Sequence, residues 1–134
     1  MAFKQINPES LGPPRGYSNG VLSDAGGRLL FVAGQVAWDK NQVIVSENFV
    51  EQFDRALGNV VTVVTEAGGR SDQIARLVLY VTDKEEYKRY RKEVGESYRK
   101  HLGKHFPAMV LVEVKSLLDD HAKVEIEAVA VLSS

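Results

Sequence analysis

Four groupings in this chain place reactive side chains at spacings that could do chemistry. The stretch "GYSNG" at 16–20 fits G-x-S-x-G, the pattern in which a sharp strand-to-helix turn exposes a nucleophilic serine. Here a Pro-rich loop precedes the motif and a strand is expected after it, so Ser18 reads as a loop residue rather than a nucleophile. His101 and His105, four apart, could share a helix face as metal ligands, yet no third ligand is spaced to join them. The helix ends there, where positive charge is favoured, so solvated histidines are the expectation. "LDDHAK" at 118–123 reads as a turn rather than a metal loop. Glu125 and Glu127 are the most informative pair. An extended strand points both to one side, with Val124, Ile126, Ala128 and Ala130 on the other. If another surface covers the glutamate side, loss of water can lift a carboxyl pKa toward the range useful for acid–base catalysis. Periodicity alone favours the plainer reading, an amphipathic strand with its acids in water.

These residues need elements to hold them. "LGPPRGYSNG" at 11–20 is rich in Pro and Gly and is expected to be loop. Two apolar runs around Asp24, Gly26 and Gly27 predict a β-hairpin at about 20–23 and 28–34, with Gly34 ending or bulging the second strand. From Ser46 to Ala67, Phe49, Phe53, Ala56, Leu57, Val60, Val61 and Val64 recur every three or four positions, which predicts a helix with one buried face. Ser46 is its expected N-cap and Gly68-Gly69 its stop. "IARLVLYV" at 74–81 reads as a strand. A second helix is expected from the Thr82/Asp83 caps, with a capping box to Glu85 or Glu86 and a buried stripe of Tyr87, Tyr90, Val94, Tyr98 and Leu102. Strands at 108–114 and 122–132 close the chain.

The resulting order, β-β-α-β-α-β-β, predicts a single α+β domain over 1–134, a two-layer sandwich of sheet and helices. Two helices cover only one face of such a sheet. The strands at 77–81 and 108–112 nonetheless carry apolar residues on both faces; Ala108, Val110, Val112 and Val114 line one, Met109, Leu111 and Glu113 the other. No segment is left to cover the second face, so a homo-oligomer is expected.

Composition excludes several classes. Lys and Arg nearly balance Asp and Glu for a net charge of −1, without the basic footprint that sequence-independent nucleic-acid binding needs. The absence of cysteine rules out disulfides, a thiolate nucleophile and Cys-ligated metal. No apolar stretch approaches the roughly 18 residues of a membrane span, and "MAFKQINPES" lacks a signal-peptide core, so a cytoplasmic location is expected.

The runs "GYS", "FVAGQVAWD", "FPAMVLVEV" and "KVEIEAVAV" together resemble the RidA family, also called the YjgF/YER057c/UK114 family, over about Tyr17 to Val131. The resemblance implies a chorismate mutase-like fold assembled as a homotrimer, with the sheets packed into a central β-barrel and a small-molecule cleft between subunits. It implies hydrolysis of reactive enamines and imines, such as 2-aminoacrylate, to 2-oxo acids and ammonia. No metal or organic cofactor is implied. By the family pattern Glu125 positions or activates water, Tyr17 lines the cleft, and Gly34-Gln35 belong to the site. An arginine directly after Phe-Pro-Ala would pair with the substrate carboxylate; this chain has Met109 there.

A guanidinium offers a planar, charged fork for two carboxylate bonds, whereas a thioether offers neither charge nor donor. Ala33 stands where many deaminating members have serine, and Leu111 where cysteine is frequent, so three rim positions are apolar together. Met109 is then read either as retuning the cleft away from 2-imino-carboxylates or as plain core packing. Arg15 and Arg91 are the candidates to replace the lost cation. Two other functions are weighed: a non-catalytic small-molecule binding or sensing trimer, and an endoribonuclease or translation-inhibitor role, to which a near-neutral chain gives little support.

Overall fold

The computed structural model describes residues 3–24 and 26–133. In chain order it holds β1 (Lys4–Ile6), β2 (Gly20–Leu22), β3 (Arg28–Gln35), α1 (Phe49–Glu66), β4 (Ile74–Val81), α2 (Lys84–Arg89), α3 (Arg91–Leu102), β5 (Ala108–Glu113) and β6 (Val124–Leu132). The main sheet runs β3-β6-β4-β5, with β4 and β5 parallel and the other pairs antiparallel. The α2–α3 segment is the connection that a parallel β4–β5 pair requires. The α+β class and the helix-on-sheet layering follow the sequence pattern.

The long helix forms because its apolar stripe has a surface to meet. Phe49, Phe53, Leu57, Val60 and Val64 are buried against Leu77, Leu79 and Val81 of β4 and Val124, Ile126, Ala128 and Ala130 of β6. Its N-cap is Asn48, whose Oδ1 accepts from the Glu51 N–H at 3.0 Å, not the expected Ser46. Ser46 acts one step back, its Oγ accepting from Asn48 N at 2.9 Å and donating to Glu51 Oε1 at 2.7 Å. The buried Gln52 is fully engaged: its Nε2 donates to the Ser46 and His121 carbonyls, and its Oε1 accepts from Lys123 N.

Three sequence expectations need correction. The hairpin between 20–23 and 28–34 does not form. Instead β2 pairs with β1, a strand the sequence reading did not assign, while β3 pairs with β6. Val32 and the partly buried Leu30 pack against the main core, a burial that β2 alone could not supply. The second helix is not continuous: Tyr90, at φ −104° and ψ 24°, divides it into α2 and α3, and no Gly or Pro signals the break. The expected capping box is also only half made. Asp83 accepts from Glu85 N at 3.0 Å, but Glu86 reaches across to Lys123 Nζ at 3.3 Å, and the Lys84 N–H is taken by Glu113 Oε1 at 2.9 Å.

Among the described residues no helix covers the other face of the main sheet. Register places Leu29, Phe31, Val78, Tyr80, Val110, Val112, Glu125, Glu127 and Val129 there. Phe31 is 73% exposed and Leu29 62%. Among the described residues no helix is long and apolar enough to cross a membrane.

Candidate functional site

Glu125 sits on this open face, one residue into β6. Its position is set by a slip in the neighbouring ladder: Val32 pairs with Ala128 and Gln35 with Ile126, so β3 spends three steps where β6 spends two. The extra residue falls at Ala33–Gly34, a bulge of the kind that re-aims side chains next to active sites. The Gln35 side-chain amide donates to the Ala33 carbonyl at 3.1 Å within this bulge. Gly34 leaves the space that the Glu125 carboxylate occupies. A Cβ there would lie 2.5 Å from Glu125 Oε2 and 2.8 Å from its carboxyl carbon, far inside van der Waals contact. The carboxylate therefore rests directly over the Gly34 backbone, and Gly34, Ala33, Gln35 and Glu125 lie together.

Beside them lies a residue the sequence reading did not single out. Tyr80 is the β4 register partner of Glu125, and Val78 that of Glu127. The Tyr80 hydroxyl hydrogen-bonds Glu127 Oε1. That bond, with smaller contributions from desolvation and from the charges of Glu127 and Glu125, raises the phenol pKa above its ordinary value, while Arg76 on the same face opposes the shift. Strand alternation places Tyr80 on one face of β4, but only pairing across β6 reveals that this is the face of the glutamates.

Tyr17 is positioned by a different device. The Ser18 N–H donates to the Pro107 carbonyl at 3.1 Å and its hydroxyl to the Phe106 carbonyl at 2.5 Å, fastening the 16–18 segment beside the start of β5. Ser18 is 2% exposed and its hydroxyl is committed to a carbonyl, so it is a tether and not a nucleophile. Tyr17 thus lies near Ala108, whereas Glu125 lies level with Val112, three strand spacings away. Strand geometry separates the two by roughly 15–20 Å within one chain. Met109 and Leu111 point away from Glu125 altogether and pack against the helix-side core. Within the chain the candidate residues therefore fall into two separate groups: Glu125 with its bulge and Tyr80, and Tyr17 with the entrance to β5.

Neither proposed substitute cation lies beside Glu125. Arg15 is an exposed loop residue. Arg91 opens α3 in the helix layer, its guanidinium 6.0 Å from the Tyr87 ring centre. The cation that the open face does carry is Arg76, in register with Ala108 and Val129.

The remaining sequence candidates are structural. His101 Nε2 and the Ser97 hydroxyl meet Asp54 Oδ1 at 3.0 and 2.7 Å, with Lys100 Nζ at 3.0 Å from Oδ2, tying α3 to α1. Burial alone would raise the Asp54 pKa, but these bonds and the His101 charge together outweigh it and hold the carboxyl below its ordinary value. The groove they border, about 600 Å³ and lined by Glu51, Arg55 and Glu93 as well, opens on the outer helical surface, away from the glutamates. His105 Nε2 contacts the Ile74 carbonyl at 2.6 Å and its ring stacks on Phe3. Among the described residues no three His, Asp or Glu side chains converge as a metal site. The 118–123 segment is a turn as expected, with the Asp119 carboxylate accepting from His121 N and its carbonyl from Ala122 N.

Comparison with known proteins places this geometry among relatives. The family model described as endoribonuclease L-PSP matches residues 8–132. A RutC family protein of Aquifex aeolicus is 36% identical over 124 residues, 92% of each chain. A 2-iminobutanoate/2-iminopropanoate deaminase of Salmonella typhimurium is 32% identical over 127 residues, covering 92% of this chain and 91% of the relative. A crystal structure of a Rid-family protein of unknown function from Yersinia pestis superposes with a TM-score of 0.87 at 30% identity, over 98% of this chain and 100% of the other.

Proposed function

This chain belongs to the RidA family, the group whose model is described as endoribonuclease L-PSP, and from that membership we propose that it is an enamine/imine deaminase working at a cleft between the subunits of a homotrimer. The observation that carries the reading is the Glu125 carboxylate seated over Gly34 on an apolar sheet face. Supporting it, the deaminase of Salmonella typhimurium aligns over nearly the whole chain. The separation of Tyr17 from Glu125 within one subunit supports a site completed by a second copy. The open face, with Phe31 and Leu29 exposed, supplies the apolar surface that such an assembly would cover.

In this reading the enamine first tautomerises to its imine. Glu125 accepts a proton from a water molecule as the water oxygen bonds to the imine carbon, and the C=N π electrons pass to nitrogen. Return of that proton to nitrogen gives a carbinolamine; transfer of its O–H proton to nitrogen, again through Glu125, lets the C–N bond break with its electron pair on nitrogen, releasing ammonia as the carbonyl forms. Tyr17 of a neighbouring copy lines the opposite wall. A carboxylate within reach of the attacking water can take up its proton and hand it on.

The test is semicarbazide trapping of imines generated in situ. Wild-type protein is expected to accelerate imine loss, and Glu125→Ala to reduce the rate by orders of magnitude while sedimentation still reports the assembled oligomer. Unchanged turnover in Glu125→Ala would remove the proposal. A second reading, a trimer that binds small molecules without turning them over, is favoured by Met109 facing the core instead of the cleft. It predicts ligand-dependent thermal stabilisation with no imine hydrolysis.

A further inference from the structure

We propose that Tyr80 and Glu127 are specificity-determining residues of the Glu125 site, and that they select protonated imines carrying no carboxylate. The inference rests on the deaminase reading for its chemistry, but its central observation is independent of it. Glu125 and Glu127 project from the same face of β6, two residues and so about 7 Å apart. The Tyr80 hydroxyl donates to Glu127 and fixes the direction of its carboxylate. Glu125 is spared this bond and lies over Gly34. The hydroxyl of β4 thus makes two chemically identical residues unlike: one held in place by a hydrogen bond, the other available to water.

The charges around this spot decide what can approach. From β6 come Glu125 and Glu127; from β4 come Tyr80 and, four residues earlier on the same face, Arg76; β5 contributes Val110 and Val112 and β3 contributes Leu29 and Phe31. Arg76 lies level with Ala108, toward the Tyr17 end, one same-face step from Glu127 and two from Glu125. Met109 and Leu111 face the core and bring no compensating charge. A substrate carboxylate placed next to Glu125 would meet Glu127 as a like charge, whereas an iminium nitrogen meets it as a counter-charge. The matching reaction is hydrolysis of an iminium ion to a ketone or aldehyde and ammonium. Water supplies the carbonyl oxygen and the C–N bond breaks with its electron pair going to nitrogen. Both water protons end on that nitrogen, so the positive charge leaves as ammonium.

Two measurements on the full chain test this. The first is binding of benzamidinium against benzoate, planar ions of similar shape and opposite charge, by calorimetry. Benzamidinium is expected to bind roughly 10- to 50-fold more tightly, the scale of one charge contact at about 7 Å. Glu127→Gln is expected to remove most of that preference and Tyr80→Phe part of it, with thermal stability of both variants near wild type. Equal or tighter benzoate binding by wild type, or a preference untouched by Glu127→Gln, overturns the proposal. The second measurement compares semicarbazide-trapped hydrolysis of 2-iminopropanoate with that of the carboxylate-free imine left by benzylamine oxidation. Higher kcat/KM for the latter, with the ratio falling in Glu127→Gln, supports the proposal. Preference for 2-iminopropanoate, lost in Arg76→Gln, overturns it and makes Arg76 the carboxylate anchor. If neither imine is hydrolysed while charge-selective binding still depends on Glu127, the deaminase reading fails and the selectivity stands.

Discussion

The two faces of the main sheet are built from the same strands, residue by alternate residue, and they end in opposite states. On the helix side Leu77, Leu79, Ile126 and Ala128 are buried under α1 and α3, and buried polar groups such as Gln52 are fully bonded. On the open side Phe31, Val110 and Val112 stay in contact with solvent around Glu125, Glu127 and Tyr80. One face is closed by the chain itself; the other is left open by the described residues. If the proposed site is the working one, stability and chemistry are divided between faces, and substitutions on one should separate from substitutions on the other.

The largest expected effect lies on the closed face. Phe53→Ala removes a fully buried ring and should cost about 3–5 kcal/mol in urea unfolding, whereas Phe31→Ala should cost under about 1 kcal/mol per isolated subunit because its ring is already largely in water. Similar losses at both positions would break the comparison. Next is assembly: Phe31→Glu should weaken the proposed trimer by roughly 100-fold or more by placing a charge in an apolar contact, read by sedimentation velocity with secondary structure unchanged. Persistence of the oligomer would show that another surface holds it. A smaller effect is expected at Gly34→Ala. The new methyl meets the flexible end of Glu125, so the side chain moves instead of the fold. Imine turnover should fall about 10- to 100-fold from misplacement of the carboxylate, with little change in thermal midpoint.

The smallest effect sharpens the closed side. Asp54→Asn should cost about 1 kcal/mol at neutral pH, as expected for a partly exposed ion-pair network. Because the folded-state pKa of Asp54 is lowered, its contribution is present above the unfolded carboxyl value of about 3.9 and fades as pH falls through the lower folded value. Wild type and Asp54→Asn should thus converge in strongly acidic solution, which pH-dependent denaturation would measure.

Much of this protein is determined by local pattern. The 3.6-residue stripe from Phe49 to Val64 can bury itself only as a helix, and the alternation through 74–81 and 124–132 can bury itself only as strands, so layers and element types follow from sequence. What the tertiary structure alone decided is pairing. The main core drew β3 to β6 and left β2 to β1, overriding the Gly-rich link that suggested a hairpin. Register with β4 turned Met109 inward and set Tyr80 beside the glutamates. The physical reason is that a side chain's period is fixed by its own backbone, whereas its neighbours across a sheet are fixed by which strand gains most from burial, a competition over the whole chain that no single segment records.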